Sequence, residues 1–306
     1  MKGKHLLGFD YFSRGELETI LDRSAVIKAE WQAGRGRHSL AGKSVALIFE
    51  KSSTRTRVSF DVGITQLGGH PVFLTGNELQ LKRGEPIKDT ARVLSRYVDA
   101  IVIRANRHED VIEFARFSSV PVVNALTDQL HPCQILGDLL TIREAGHDLD
   151  RFKVAFIGDG NNVANSWIEA AGHFRFELAV ACPEGYDPPA GLVERARAQG
   201  GRVAVVRSPE AAAAEADVLY TDVWVSMGQE EETAERKRVF APFQINDLLL
   251  RAARPGCKIL HCLPAHRGEE ITDEAIEGEA SLVFPQAENR LHIQKGILEL
   301  LISGEG

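Results

Sequence analysis

Short apolar runs alternate along this chain with longer stretches whose apolar residues recur at spacings of three and four. The runs at 45–49, 71–74, 100–103 and 120–124 have the length and β-branched content of buried strands, and the amphipathic stretches between them predict helices. A helix at 14–32 and a polar loop at 34–39 precede this series, and a helix at 134–144 leads out of it. A second series follows, with strands at 153–157, 178–181, 203–206, 218–221 and 258–261 and helices at 191–199 and 244–253. The alanine run at 211–214 fits another helix, and an amphipathic helix at 293–302 closes the chain.

Strands that are apolar throughout, joined by helices, describe parallel sheets covered on both faces, with ligands expected beyond the carboxyl ends of the strands. The pattern therefore predicts an α/β fold of two doubly wound parallel-sheet domains with an interdomain cleft. The first domain is expected at 1–135, a linking helix at 136–149 and the second domain at 150–285, with the C-terminal helix in 286–306 packing back on the first.

Composition narrows the possibilities. The chain has 306 residues, 44% of them hydrophobic and 26% charged, which is ample for a sizeable core. Its net charge of −7 and pI near 5.8 argue against nucleic acid or an acidic membrane surface as partner. The first ten residues lack the pattern of a secretory signal, and no run approaches about 20 apolar residues, so a cytoplasmic protein is expected. Cys133, Cys182, Cys257 and Cys262 are spread widely and form no CxxC pair, which suits reduced thiols.

The chemistry gathers where strands end. Ser53, Thr54, Arg55, Thr56 and Arg57 follow the first strand. Hydroxyls that cap a helix, the free N–H groups of its first turn and planar guanidiniums together suit a phosphate group. Arg104 ends the third strand, and His131-Pro132-Cys133-Gln134 follows the fourth across a short loop. In the second series Asp222 to Gly228 follows 218–221, and His261-Cys262-Leu263-Pro264 closes 258–261.

Three other patterns fail on inspection. Gly42-Lys43-Ser44 lacks the earlier glycine of a P-loop and precedes its strand. Gly158-Asp159-Gly160 opens like a dinucleotide fingerprint, but Val163 stands at the third glycine position, and the next strand ends in Ala181-Cys182-Pro183 without an acid for a ribose hydroxyl. Cys257, His261, Cys262 and His266 lie close together, yet adjacent strand residues such as His261 and Cys262 point to opposite faces and do not share one tetrahedral ion.

Taken in order, Ser53-Thr54-Arg55-Thr56, His131-Pro132-Cys133-Gln134, the segment from Asp222 to Gly228 and His261-Cys262-Leu263-Pro264 resemble the motifs of the ornithine carbamoyltransferases. These form the ornithine branch of the aspartate/ornithine carbamoyltransferase family, and the resemblance spans nearly the whole chain. The first two motifs are common to both branches; the last two resemble the ornithine branch.

The resemblance implies carbamoyl transfer from carbamoyl phosphate to the δ-amine of L-ornithine, giving citrulline and phosphate in arginine metabolism, with no metal and no organic cofactor. By the same resemblance Ser53, Thr54, Arg55 and Thr56 hold the phosphate, with Arg104 and Arg290 adding contacts and Gln80 lent to a neighbouring subunit of a homotrimer with shared active sites. Thr56, Arg104 and His131 polarise the carbonyl oxygen, while Gln134, Cys262 and the Leu263 carbonyl lie at the carbamoyl group. Asp222 and Cys262 stand near the δ-nitrogen, and Asn162, Ser226 and Met227 grip the α-carboxylate and α-amine. A transferase for putrescine or an acylated ornithine, and a nicotinamide-dependent dehydrogenase, are the alternatives. Lys82 is read as a solvated charge.

Overall fold

The protein is described by a computed structural model covering residues 1–76, 84–225 and 233–304. Gln80, Lys82, Ser226, Met227 and Gly228 lie outside the described residues. The chain divides into two compact units, Met1–Leu140 with Asn289–Gly306, and Thr141–Glu288.

In the first unit α1 (Arg14–Gln32) begins at a capping box in which Ser13 and Glu16 satisfy each other's backbone N–H groups. It is followed by β1 (Ser44–Phe49), α2 (Thr54–Gln66), β2 (His70–Thr75), α3 (Ile87–Leu94), β3 (Ala100–Arg104), α4 (His108–Phe117), β4 (Val122–Leu126) and α5 (Pro132–Glu144). The four strands form a parallel sheet in the order β2-β1-β3-β4. Val45, Ala46, Leu47, Ile101 and Val102 are fully buried, as strands covered on both faces must be.

β4 begins at Val122, two residues later than the apolar pattern suggests, because local groups claim the polar atoms ahead of it. The Ser118 hydroxyl donates to the Val120 carbonyl at 2.7 Å and accepts its N–H at 3.2 Å, and Pro121 has no N–H to give a ladder. At the far end the β3–β4 register shifts between Ile103 and Arg104, a local irregularity that reorients the last side chain of β3.

The second unit contains β5 (Lys153–Ile157), α6 (Asn162–Phe174), β6 (Glu177–Ala181), α7 (Ala190–Ala198), β7 (Arg202–Val206) and α8 (Pro209–Ala213). It continues with β8 (Val218–Thr221), α9 (Thr233–Phe240), α10 (Asp247–Ala252), β9 (Lys258–His261) and α11 (Asp273–Glu277). The parallel strand order is β7-β6-β5-β8-β9. Trp167 packs edge-on against Phe176 and Tyr220, with ring centroids 5.6 and 5.4 Å away. Helix α10 is shorter than the pattern at 244–253 predicts. Asn246 leaves the helix to cap it, accepting the Leu249 N–H at 3.1 Å, while Gln244 donates to the carbonyls of Gly268 and Glu269.

The last helix, α12 (Val283–Ile302), starts well before the predicted 293. Its first half carries Gln286, Asn289, Arg290 and His292, polar residues that are nonetheless buried and so erase the amphipathic signal. Within the first unit α12 is fastened by polar contacts: Lys28 donates to Asn289 at 2.8 Å, Lys295 to Gln66 at 2.9 Å, and buried Glu299 accepts from Arg23 and Ser39.

In each sheet the strand order reverses once, between β1 and β3 in the first and between β5 and β8 in the second. Parallel α/β sheets carry their ligands beyond the carboxyl ends of the strands at such a point. Ser53 and Arg104 stand there in the first unit, Asn161, Asn162 and Asp222 in the second. Among the described residues no helix is long and apolar enough to cross a membrane.

Candidate functional site

The first unit presents an anion cradle at the start of α2. Ser53 is the N-cap, its hydroxyl accepting the Thr56 N–H at 3.4 Å, so the first turn keeps a positive dipole end beside the hydroxyls of Ser53 and Thr54. Thr56 is buried, and Arg104 reaches its hydroxyl at 3.5 Å from the end of β3. The Glu50 N–H donates to the Arg104 carbonyl at 3.0 Å, tying the ends of β1 and β3 together. The two arginines of the run behave differently. Arg55 is exposed on the first turn, whereas the Arg57 guanidinium lies 3.6 Å from the centre of the Phe73 ring on β2.

His131 is brought to this unit's site by a tight loop after β4, where Thr127 and Leu130 exchange backbone and hydroxyl hydrogen bonds. Arg290 of α12 comes from the other end of the sequence. It donates to the Gln134 side-chain oxygen, and the same guanidinium nitrogen lies 3.5 Å from His131 Nε2. A guanidinium only donates, so Nε2 is the acceptor and the His131 proton sits on Nδ1. Burial, reinforced by the positive charges of Arg290 and Arg104, drives the His131 pKa well below the usual histidine range and keeps the ring neutral. Asp138, one turn along α5, accepts from Gln134 at 2.7 Å and completes the orientation of that amide. Gly137 makes the approach possible, since a Cβ there would stand 3.3 Å from Arg290 Cδ.

The second unit assembles a carboxylate held by three donors. Asp222 follows β8; its Oδ1 accepts from the Cys262 thiol at 2.9 Å and the Val223 N–H at 2.8 Å, and its Oδ2 accepts from Asn161 at 2.8 Å. Asn161 at the same time caps α6, its side-chain oxygen accepting the N–H groups of Val163 and Ala164. Asn162 is the first residue of that helix and is partly exposed beside it. Nearby, Arg236 pairs with Asp159 and donates to the Trp224 carbonyl at 2.6 Å. Burial raises the Asp159 carboxyl, Asp222 adds to that, and Arg236 opposes it. Leu263 has φ +57°, left-handed for a branched residue, and precedes a cis bond to Pro264.

The rejected patterns acquire physical explanations. Gly160 belongs to a backbone crossing: a Cβ would fall 2.3 Å from the nitrogen of Pro188. Gly158 at φ +144° lets the chain leave β5 over Thr221. His261 and Cys262 face different partners, Glu270 and Asp222, so the cysteine–histidine cluster shares no ion. Sequence reasoning overlooked Asn161, Asp138 and Glu270. Asn161 had a legible signal, being a capping residue type directly ahead of a helix on a sheet switch point; the other two become meaningful only through their partners.

These features define a two-unit α/β chain with a hydroxyl- and arginine-lined anion site in one unit and a carboxylate–thiol pair in the other. Comparison with known proteins gives that class a family. Residues 4–144 match the carbamoyl-P binding domain of aspartate/ornithine carbamoyltransferase, and residues 150–301 match its Asp/Orn binding domain. The chain belongs to the aspartate/ornithine carbamoyltransferase family. It is 55% identical to an ornithine carbamoyltransferase of Syntrophotalea carbinolica, covering 98% of this chain and 99% of the relative, and 54% identical to that of Methanoculleus marisnigri over 94% of each. The ornithine carbamoyltransferase structure from Pyrococcus furiosus superposes with a TM-score of 0.95 at 46% identity, covering 100% of this chain and 99% of that one. These matches favour neither the dehydrogenase nor the alternative amine acceptors.

Proposed function

We propose that this chain transfers the carbamoyl group of carbamoyl phosphate to the δ-amine of L-ornithine, giving L-citrulline and phosphate. The observation that carries this reading is the division of chemistry between the two sheet switch points, an anion cradle with a neutral histidine in one unit and a carboxylate–thiol pair in the other.

The donor's phosphate lies against Ser53, Thr54, Arg55 and Thr56 at the first turn of α2. Arg104 bridges phosphate and carbonyl oxygen, and Arg290 supports the same charge. Neutral His131 donates through Nδ1 to the carbonyl oxygen, which accumulates negative charge as the amine attacks; one such donor commonly contributes about 10²–10³ in rate. Gln134, braced by Asp138, orients the carbamoyl amide together with Cys262 and the carbonyl of Leu263. Acceptor ornithine arrives as an ammonium with an ordinary pKa of about 10.4 and must lose a proton first. Asp222 and Cys262 attract and orient it, and Asn162, Ser226 and Met227 hold the α-substituents. The ammonium's first proton passes to solvent water before attack; as the nitrogen–carbon bond then forms, the carbon–oxygen bond to phosphate breaks and the departing phosphate accepts the second proton from the attacking nitrogen.

Residues 1–135 are assigned to carbamoyl phosphate, with the C-terminal helix at 286–306 packed on them, residues 136–149 to a linking helix, and residues 150–285 to ornithine. A homotrimer in which Gln80 serves a neighbouring site is supported by exposed Val58 and Val62, one turn apart on α2, and by β2 at the sheet edge. A cytoplasmic location is supported by four free cysteines. Purified protein supplied with carbamoyl phosphate and ornithine is expected to form citrulline. Folded protein without product above background, or with higher kcat/KM on putrescine than on ornithine, overturns the assignment.

A further inference from the structure

His261 opens the His261-Cys262-Leu263-Pro264 motif, yet no step of the proposed reaction uses its side chain. Its ring is fully buried against Glu270, which is itself fully buried. The Leu263 N–H donates to His261 Nδ1 at 2.9 Å, so Nδ1 carries no proton, and the Nε2 proton is donated to Glu270 Oε1 at 3.1 Å. That same carboxylate oxygen accepts the His266 N–H at 2.5 Å, closing the loop between 261 and 270. The backbone of His261 is fixed independently, its N–H donating to Gln286 at 2.8 Å while Gln286 reaches the Tyr220 hydroxyl at 3.3 Å.

We infer that His261 is a positioning residue: Glu270 selects its Nε2–H tautomer so that Nδ1 can seize the Leu263 N–H and hold Leu263 in the left-handed conformation. The left-handed conformation at φ +57° is sterically unfavourable for leucine, because its Cβ crowds the carbonyl, and the Nδ1 hydrogen bond offsets that cost. The consequence reaches Cys262, which lies between two pinned backbone positions and so directs its thiol at Asp222. This inference rests on the proposed function only in assigning Cys262 and the Leu263 carbonyl to the carbamoyl group.

Two substitutions separate positioning from stability. The side-chain oxygen of His261→Asn sits near the place of Nδ1 and still accepts the Leu263 N–H, whereas His261→Phe fills the ring volume with no acceptor. Both variants strip Glu270 of its ring partner, so that loss cancels in the comparison. The expected result is a kcat/KM for carbamoyl phosphate at least tenfold lower in His261→Phe than in His261→Asn, although the phenylalanine variant melts at the same or a higher temperature. Equal kinetics, or activity that follows the melting temperature, overturns the inference. Nitrogen-15 spectroscopy of the unmodified protein tests the geometry without reference to activity or to variant folding: a buried histidine protonated on Nε2 and unprotonated on Nδ1 is expected, and the opposite tautomer at His261 overturns the inference. Absence of all carbamoyl transfer with the expected tautomer would instead refute the proposed reaction.

Discussion

Replacing Asn161 tests how the acceptor carboxylate is held. The side chain does two things at once, capping α6 through its oxygen and donating to Asp222 Oδ2 through its nitrogen at 2.8 Å. Asn161→Ser retains a good cap but is too short to reach Asp222, so it isolates the second task. A hydrogen bond to a charged group is worth about 1.5–3 kcal/mol, which predicts a kcat/KM for ornithine roughly 10- to 150-fold lower with little change in KM for carbamoyl phosphate. Asn161→Asp retains the cap as well, but turns a carboxylate oxygen toward Asp222. Two charges about 3 Å apart at an effective dielectric near 20 repel by roughly 5 kcal/mol, so the pair prefers to keep one proton. Its folded-state pKa lies above the unfolded value, and the folded protein therefore loses stability as pH rises. Asp159 adds to that repulsion and Arg236 offsets part of it, while the Cys262 thiol remains on the far oxygen. Melting temperatures from pH 5 to pH 8.5, with citrulline formation measured at each, should show Asn161→Asp nearest the parent at the acid end and falling behind as pH rises. Parallel melting profiles, or an Asn161→Ser enzyme with unchanged ornithine kinetics, would refute the reasoning.

Two further outcomes follow from the first unit. The depressed pKa of His131 means that below about pH 6.5 the unfolded chain takes up a proton that the folded chain refuses, so stability is complete above that pH and declines below it by up to about 1.4 kcal/mol per pH unit. Denaturant midpoints at pH 7.5, 6.5 and 5.5 should fall less in His131→Gln than in the parent; equal slopes would show that the ring titrates normally, and His5 and His108, also depressed by burial, contribute to the decline that remains. Arg55 is exposed at the first turn of α2, so Arg55→Ala should leave the melting temperature within about a degree or two while lowering kcat/KM for carbamoyl phosphate by at least tenfold; unchanged kinetics would remove Arg55 from the phosphate site.

The strands were legible because parallel sheets bury both faces, and a run such as 153–157 carries that requirement in its composition. Helix α12 was half legible. Its apolar end follows the helical period, but its first half buries Gln286, Asn289, Arg290 and His292, which periodicity reads as solvent-facing. The β4 boundary was lost to a serine side chain that competes for backbone groups, a contest decided by local geometry.

The linear chain thus determined the βαβ alternation and the residue types standing at each strand end, because periodicity, strand length and capping chemistry are properties of neighbours. Tertiary structure alone decided the pairings. Arg290 meets Gln134, Asn161 meets Asp222, and Glu270 sets the tautomer of His261, which in turn holds Leu263. The first two depend on strand order and helix packing that bring distant residues within hydrogen-bond range, and the last two on the folded path of the loop between 261 and 270. The chemistry of a buried group depends on that partner and on the water excluded around it, as His131 shows: a histidine in sequence, and a ring kept neutral in the fold by burial first and by two arginines beside it.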